Sequence, residues 1–278
     1  MSEPPARSQG EWDPSLHRLP VGEISREAVL AIAKDWKALL KAIAVPTVVV
    51  AGAHVVSIHE YFVVSIQDYL EDVKYVVQVK YAVQNVLNLV GIAVGMVIAI
   101  SCHRLVILGV DSLPSAWGLF WSGRETRFLG WTFLIAFSLG AVVLPIPFVF
   151  RELSPNLSLS PNLRALAALV FTVSVFCAGY VSARLSIVLP ATAIDQRPTL
   201  KGSWRLSRSN GWRLGLVVWL PSILIFVLWR LGVPFLRVLS PQTIPGQFLS
   251  SVALGLGGLL GIASLSKAFQ WFTGKSEP

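Results

Sequence analysis

Six stretches of this chain are each apolar over a length that could cross a lipid bilayer, and that pattern leaves few folds open. They are Leu40–Val64, Val86–Leu108, Phe128–Phe150, Leu163–Leu189, Leu214–Val233 and Phe248–Phe269. A spanning helix needs about 20 mostly apolar residues to cover a hydrocarbon core roughly 30 Å thick. A soluble domain of 278 residues could not bury six such segments on all sides. Only 14% of the residues are charged, against about 25% in soluble domains. The expected fold is therefore all-α: a polytopic transmembrane bundle of six spans, joined by interfacial helices. Residues 1–24, with Pro4, Pro5, Pro14 and Pro20, read as a disordered cytoplasmic tail. Residues 25–272 form the transmembrane domain and 273–278 a short C-terminal tail. No apolar core follows Met1 closely, so the first span is expected to act as the insertion signal.

Charge sets the expected topology. The net charge of +8 is not gathered on one soluble face, so nucleic acid is not an expected partner. The basic residues fall between the apolar runs, and 17 of the 23 lie on one side if both ends are inside. Cytoplasmic loops are enriched in Lys and Arg, so both termini are expected in the cytoplasm. Trp36, Trp117, Trp121, Trp131, Trp204, Trp212 and Trp271 gather near the same inner boundary, where an indole ring is buried and its N–H stays wet. Pro221 lies inside the fifth span and should kink it.

Two inner segments read as interfacial helices. Over Ser25–Lys41, Ser25 is placed to cap, Val29, Ile32, Trp36, Leu39 and Ile43 form an apolar face, and Lys34, Lys37 and Lys41 form a basic stripe. Over Thr199–Gly211, Thr199 caps and Gly211 ends a short helix whose stripe holds Lys201, Arg205 and Arg208, with Trp204 as an aromatic anchor. The outer loop around 67–83 fits either a short helix or an outward extension of the second span.

Chemistry-bearing motifs are scarce. The chain has no P-loop, no G-x-S-x-G and no paired carboxylates within a span. His59-Glu60 lacks the second histidine of H-E-x-x-H, since Val63 stands there, and His54 does not share its helix face well. No catalytic residue, metal site or cofactor is expected. Small residues instead suggest packing: Gly91 and Gly95 in the second span, and Gly255, Gly257, Gly258 and Gly261 in the sixth. Their bland role is packing within the bundle. The alternative is a homo-oligomer seam through Gly255, Gly258 and Gly261.

A weak internal repeat draws attention to two arginines. Arg104-Leu105-Val106-Ile107-Leu108 and Arg184-Leu185-Ser186-Ile187-Val188-Leu189 each end an outward-to-inward span. An aspartate follows each, Asp111 or Asp195, then a tryptophan, then Gly130-Trp131 or Gly211-Trp212 where the chain returns to the membrane. Two parallel hairpins related by an axis along the membrane normal would give this pattern. Arg104 and Arg184 either snorkel to headgroups or face the bundle and share an anion, such as a lipid phosphate or these aspartates, with His103 extending the site.

These residues also carry a resemblance. Ala183-Arg184-Leu185-Ser186-Ile187-Val188-Leu189-Pro190-Ala191, Gly202-Ser203-Trp204-Arg205-Leu206-Ser207 and Asn210-Gly211-Trp212-Arg213-Leu214, preceded by His103-Arg104-Leu105-Val106-Ile107-Leu108-Gly109, resemble a signature of uncharacterised bacterial six-span proteins. These are similar to the membrane domain that accompanies some glycerophosphodiester phosphodiesterases. The resemblance covers most of 86–214 and implies a bacterial inner-membrane bundle. It brings no reaction, because the hydrolase's catalytic part is a separate soluble barrel. The expected function is non-enzymatic: binding anionic lipid headgroups or a membrane partner at the cytoplasmic side, through Arg104, Arg184, His103, Lys201, Arg205 and Arg208. The alternative is a small transporter or an accessory subunit of one.

Overall fold

The computed structural model describes residues 17–42, 73–113, 121–143, 161–232 and 244–274, and among these every regular element is helical. The helices are α1 (21–42), α2 (Val73–Leu108), α3 (Gly123–Val143), α4 (Pro161–Ser186), α5 (Val188–Ala193), α6 (Leu200–Leu206), α7 (Gly211–Gly232) and α8 (Ile244–Phe272), with a 3-10 turn at Val110–Ser112. Most of the first expected span, with His54, His59 and Glu60, lies outside the described residues, as does Trp117.

Among the described residues, three segments are long and apolar enough to cross a membrane: Asn85–Leu108, Gly123–Val143 and Ala168–Ala193. Their outward surfaces are apolar as well. Phe133, Phe137 and Phe176 are 69%, 68% and 75% exposed, an arrangement that water disfavours and hydrocarbon does not.

Local signals explain several boundaries. α2 begins at Val73, so the loop before the second span continues into it as helix. α3 starts five residues ahead of Phe128 because Ser122 and Glu125 form a reciprocal cap. Ser122 Oγ accepts from the Arg124 amide at 3.2 Å, and Glu125 Oε2 accepts from the Ser122 amide at 2.8 Å. The fourth apolar run is not one helix. Pro190 cannot donate a helical bond and crowds the carbonyl of Ser186, so α4 ends there and α5 starts after Ile187. α7 continues as helix through Pro221.

The amphipathic reading of α1 needs correction. The helix starts just after Pro20, four residues before Ser25, and the Ile24 amide donates to the Pro20 carbonyl at 3.0 Å. Ser25 therefore sits in the first turns with its hydroxyl buried and without a partner, rather than capping. The face turned to the bundle carries Ile24, Ala28, Ile32 and Leu39, which pack on α2 and α8 through Cys102, Leu105 and Ala263. Val29 and Trp36 face outward instead, 48% and 49% exposed. Just before α1, Leu19 is wholly buried against Leu214, Phe269 and Phe272. Asn210 fixes this arm: its Oδ1 accepts from the Leu19 amide at 2.9 Å and its Nδ2 donates to the His17 carbonyl at 3.0 Å. The packed body thus takes in 17–24, because an apolar Leu19 and backbone partners on Asn210 outweigh the polar composition of that stretch.

α8 packs extensively on α7 and also on α2. The glycines that permit this are Gly257 and Gly261. A Cβ on Gly257 would lie 3.2 Å from Ser222 Cα, and one on Gly261 would lie 3.0 Å from the Val218 carbonyl oxygen. Ser222 Oγ reinforces the contact by donating to the Gly257 carbonyl at 2.9 Å. Of the three glycines expected at an oligomer seam, Gly261 is therefore used inside the bundle, while Gly255 and Gly258 face open space. Trp271 packs into the bundle as well. It is nearly buried and packs edge-on against Phe272, with ring centroids 5.2 Å apart.

Candidate functional site

Three arginines from two helices converge on one carboxylate where the membrane-length segments end. The chain builds this place from short-range rules. α2 stops at Gly109, whose φ of 86° suits a residue without a side chain, and a 3-10 turn brings Ser112 back over the helix end. Arg104 Nε donates to the Ser112 carbonyl at 3.0 Å, and its Nη1 donates to the Ala193 carbonyl at 3.3 Å. At the far end of α5 the chain reverses through Asp195, whose φ of 62° is left-handed and tolerated best by Gly, Asn and Asp. The Asp195 and Gln196 amides close that reversal on the carbonyls of Thr192 and Ala191, each at 3.0 Å.

Asp195 Oδ2 accepts from Arg104 Nη1 at 3.4 Å and from Arg124 Nη1 at 3.2 Å. Arg127 Nη2 lies 3.6 Å from Asp195 Oδ1. Arg124 is held from its other edge by Glu125, whose Oε1 accepts from Nε at 3.0 Å and from Nη2 at 2.8 Å. Glu125 is in turn buried and fixed by the Ser122 hydroxyl and amide. The side chains of Asp195 and Arg127 are 55% and 41% exposed, so the cluster opens at one side.

Arg184 stands in a different environment. It is buried, and its guanidinium carbon lies 3.6 Å from the centre of the Trp204 ring and 5.5 Å from that of Tyr180. Nε donates to Ser207 Oγ at 3.1 Å, Nη1 to the Tyr180 hydroxyl at 3.2 Å and Nη2 to the Trp204 carbonyl at 2.5 Å. Ser207 Oγ also donates to the Ser203 carbonyl at 2.9 Å. Arg184 thus staples α6 and the turn after it to the end of α4. Gly211 is required for this fit, since a Cβ there would lie 2.8 Å from the Tyr180 ring and 2.9 Å from Arg184 Cδ. The expectation that Gly211 ends the preceding helix is corrected: α6 ends at Leu206, the backbone turns over Ser207–Asn210, and Gly211 opens α7.

The remaining expected residues divide. His103 does not extend an arginine site; it is buried on another face of α2, with Nδ1 2.7 Å from Ser266 Oγ of α8 and its ring beside Phe128. Lys201 and Arg205 are exposed on α6, whereas Arg208, expected on the same helical stripe, is exposed on the turn that follows because the helix ends at Leu206. Thr199 caps that helix, accepting from the Gly202 amide at 3.1 Å. Of the two expected aspartates, Asp195 pairs with Arg104 and Asp111 stays exposed. The residues that sequence reasoning missed at this site are Arg124, Arg127 and Glu125. Their signal was present: Ser122-x-x-Glu125 is a capping box, and Arg124 and Arg127 lie three apart on the helix that it starts.

No protein-family model, curated protein or solved structure matches the chain.

Proposed function

We propose that the protein is a six-span bundle of a bacterial inner membrane, with both termini cytoplasmic, that holds anionic lipid headgroups at its inner rim and catalyses no reaction. The observation that carries this reading is the outward surface of α6 and of the turn after it. Lys201, Arg205 and Arg208 are exposed there beside Trp204, and among the described residues none of the three is within ion-pair reach of a carboxylate. Uncompensated cations beside a half-exposed indole suit the headgroup layer, where lipid phosphates supply the counter-charge and the ring finds its preferred depth. α1 adds to the same surface, with Val29, Trp36 and Leu40 outward and Lys37 Nζ 5.8 Å from the Trp36 ring centre.

The test is lipid retention by native mass spectrometry. With Lys201, Arg205 and Arg208 all changed to Gln, retention of phosphatidylglycerol should fall several-fold while that of phosphatidylcholine stays the same. Equal loss of both lipids, or no loss, would overturn the headgroup reading. Orientation is tested separately: a reporter active only in the periplasm should be silent after Lys275 and active near Asp72.

A further inference from the structure

The arginine cluster has a geometry that one carboxylate does not explain. Charge-assisted N–H···O bonds are usually about 2.7–2.9 Å long. The three contacts to Asp195 are 3.4, 3.2 and 3.6 Å, and two of them share a single oxygen. The Asp195 carboxylate is thus shared among three guanidiniums from two helices without a short bond to any of them. A phosphate group presents three or more oxygens on a tetrahedron and would give each guanidinium an oxygen of its own. The charge points the same way: Arg104, Arg124 and Arg127 outnumber Asp195 and Glu125, and Glu125 is already committed to Arg124 and Ser122. The donors are also preorganised. Arg104 is fixed by two backbone carbonyls and Arg124 by Glu125, so binding an anion would not have to order them.

The surroundings agree. A carboxylate acting only as a pin between helices would be expected tight and buried, whereas Asp195 is 55% exposed on a left-handed residue. The cluster also sits where Asn85–Leu108, Gly123–Val143 and Ala168–Ala193 have their ends: Arg104 is four residues before one end, Arg124 and Arg127 are in the first turns of the second segment, and Asp195 is two residues past the third. That is the level at which a lipid phosphate would lie.

We propose that Arg104, Arg124 and Arg127 form a binding site for a phosphate group, with the Asp195 carboxylate holding the place until the phosphate displaces it. The phosphate belongs either to a lipid headgroup or to a free ion. The lipid source rests on the membrane reading above; the free-ion source does not.

Asp195→Asn separates a placeholder from a pin, because Asn accepts the same left-handed backbone while removing the competing charge. The full-length protein in detergent is titrated with inorganic phosphate at matched ionic strength, and in parallel its retention of phosphatidic acid over phosphatidylcholine is measured by native mass spectrometry. Asp195→Asn should tighten binding of at least one probe about fivefold, and Arg127→Gln should weaken the same probe about fivefold, the scale of one charge contact at a half-open site. Tightening with phosphatidic acid alone assigns a headgroup; tightening with inorganic phosphate assigns a free anion. Among the described residues Arg127 makes one ion pair, to Asp195, and its side chain is 41% exposed, so its replacement should leave the fold intact and the comparison valid. The proposal is overturned if Asp195→Asn leaves both probes unchanged or weakens them. In the variant with Lys201, Arg205 and Arg208 replaced by Gln, Asp195→Asn still tightens the same probe if this site is real, even where the α6 surface proves to bind no lipid.

Discussion

Arg104 and Arg184 occupy corresponding places in a weak repeat, yet the fold has given them different work. Each sits near the end of a long apolar helix, and each donates through Nε to the segment that follows, Arg104 to the Ser112 carbonyl and Arg184 to Ser207 Oγ. There the likeness ends. Arg184 is 5% exposed, stacked on Trp204 and hydrogen-bonded three ways within the chain. Arg104 opens toward Asp195, Arg124 and Arg127. The difference teaches that a guanidinium at a helix end is a structural clamp when neutral acceptors surround it at short range. Arg104 also meets neutral acceptors, the Ser112 and Ala193 carbonyls, and what sets it apart is the exposed carboxylate that it shares with two other arginines. The notion of one anion held between the two arginines gives way to this division, since Asp195 pairs with Arg104 while Arg184 is satisfied by hydroxyls and a carbonyl.

The largest effect that could break this comparison is at the clamp. Arg184→Lys keeps the charge but loses the fork and the flat stacking surface, so stability in detergent should fall by about 2–3 kcal/mol, read from the unfolding midpoint. An unchanged midpoint would mean that Arg184 is no clamp. A somewhat smaller effect is expected at the seam between α7 and α8. Gly261→Leu pushes a side chain against the Val218 carbonyl and should cost about 2 kcal/mol, while Gly258→Leu meets open space and should change stability by less than about 0.5 kcal/mol. If Gly258→Leu instead alters the oligomeric state measured by light scattering, that face of α8 is a contact between copies. The smallest effect belongs to the open cluster. Arg104→Lys should lower stability by about 1 kcal/mol, because solvent screens the pair with half-exposed Asp195 and the loss falls mainly on the bonds to the Ser112 and Ala193 carbonyls. A loss as large as that at Arg184 would make the two sites equivalent after all.

Much of the architecture was legible in the residues because it depends on neighbours in sequence. The all-helical class and the long apolar helices follow from composition over windows of about 20 residues. Thr199 capping α6, and the exposure of Lys201 and Arg205 four residues apart on it, follow from local spacing, while the end of the helix before Arg208 does not. The break after Ser186 was in principle readable too, since Pro190 stands four residues on, and Ser122-x-x-Glu125 announced the start of α3.

What the sequence could not decide by itself was which side of an element meets which partner. α1 is apolar on more than one face, and only packing on α2 and α8 selected Ile24, Ala28 and Leu39 over Val29 and Trp36. Gly257 and Gly261 were chosen over Gly255 and Gly258 by where α7 lies, not by any local property of glycine. His103 and Arg104 are adjacent in the chain but part company, one toward Ser266 and the other toward Asp195, because successive helical side chains point about 100° apart. The cluster on Asp195 joins residues 71 and 91 positions distant from it, a relation with no period or motif to betray it. Sequence alone determined that this chain forms long apolar helices with basic residues gathered between them, since hydrophobicity and helical spacing act locally. Tertiary structure decided which cations are locked and which are free to receive an anion, since that depends on what the fold brings within a few ångströms of each charge.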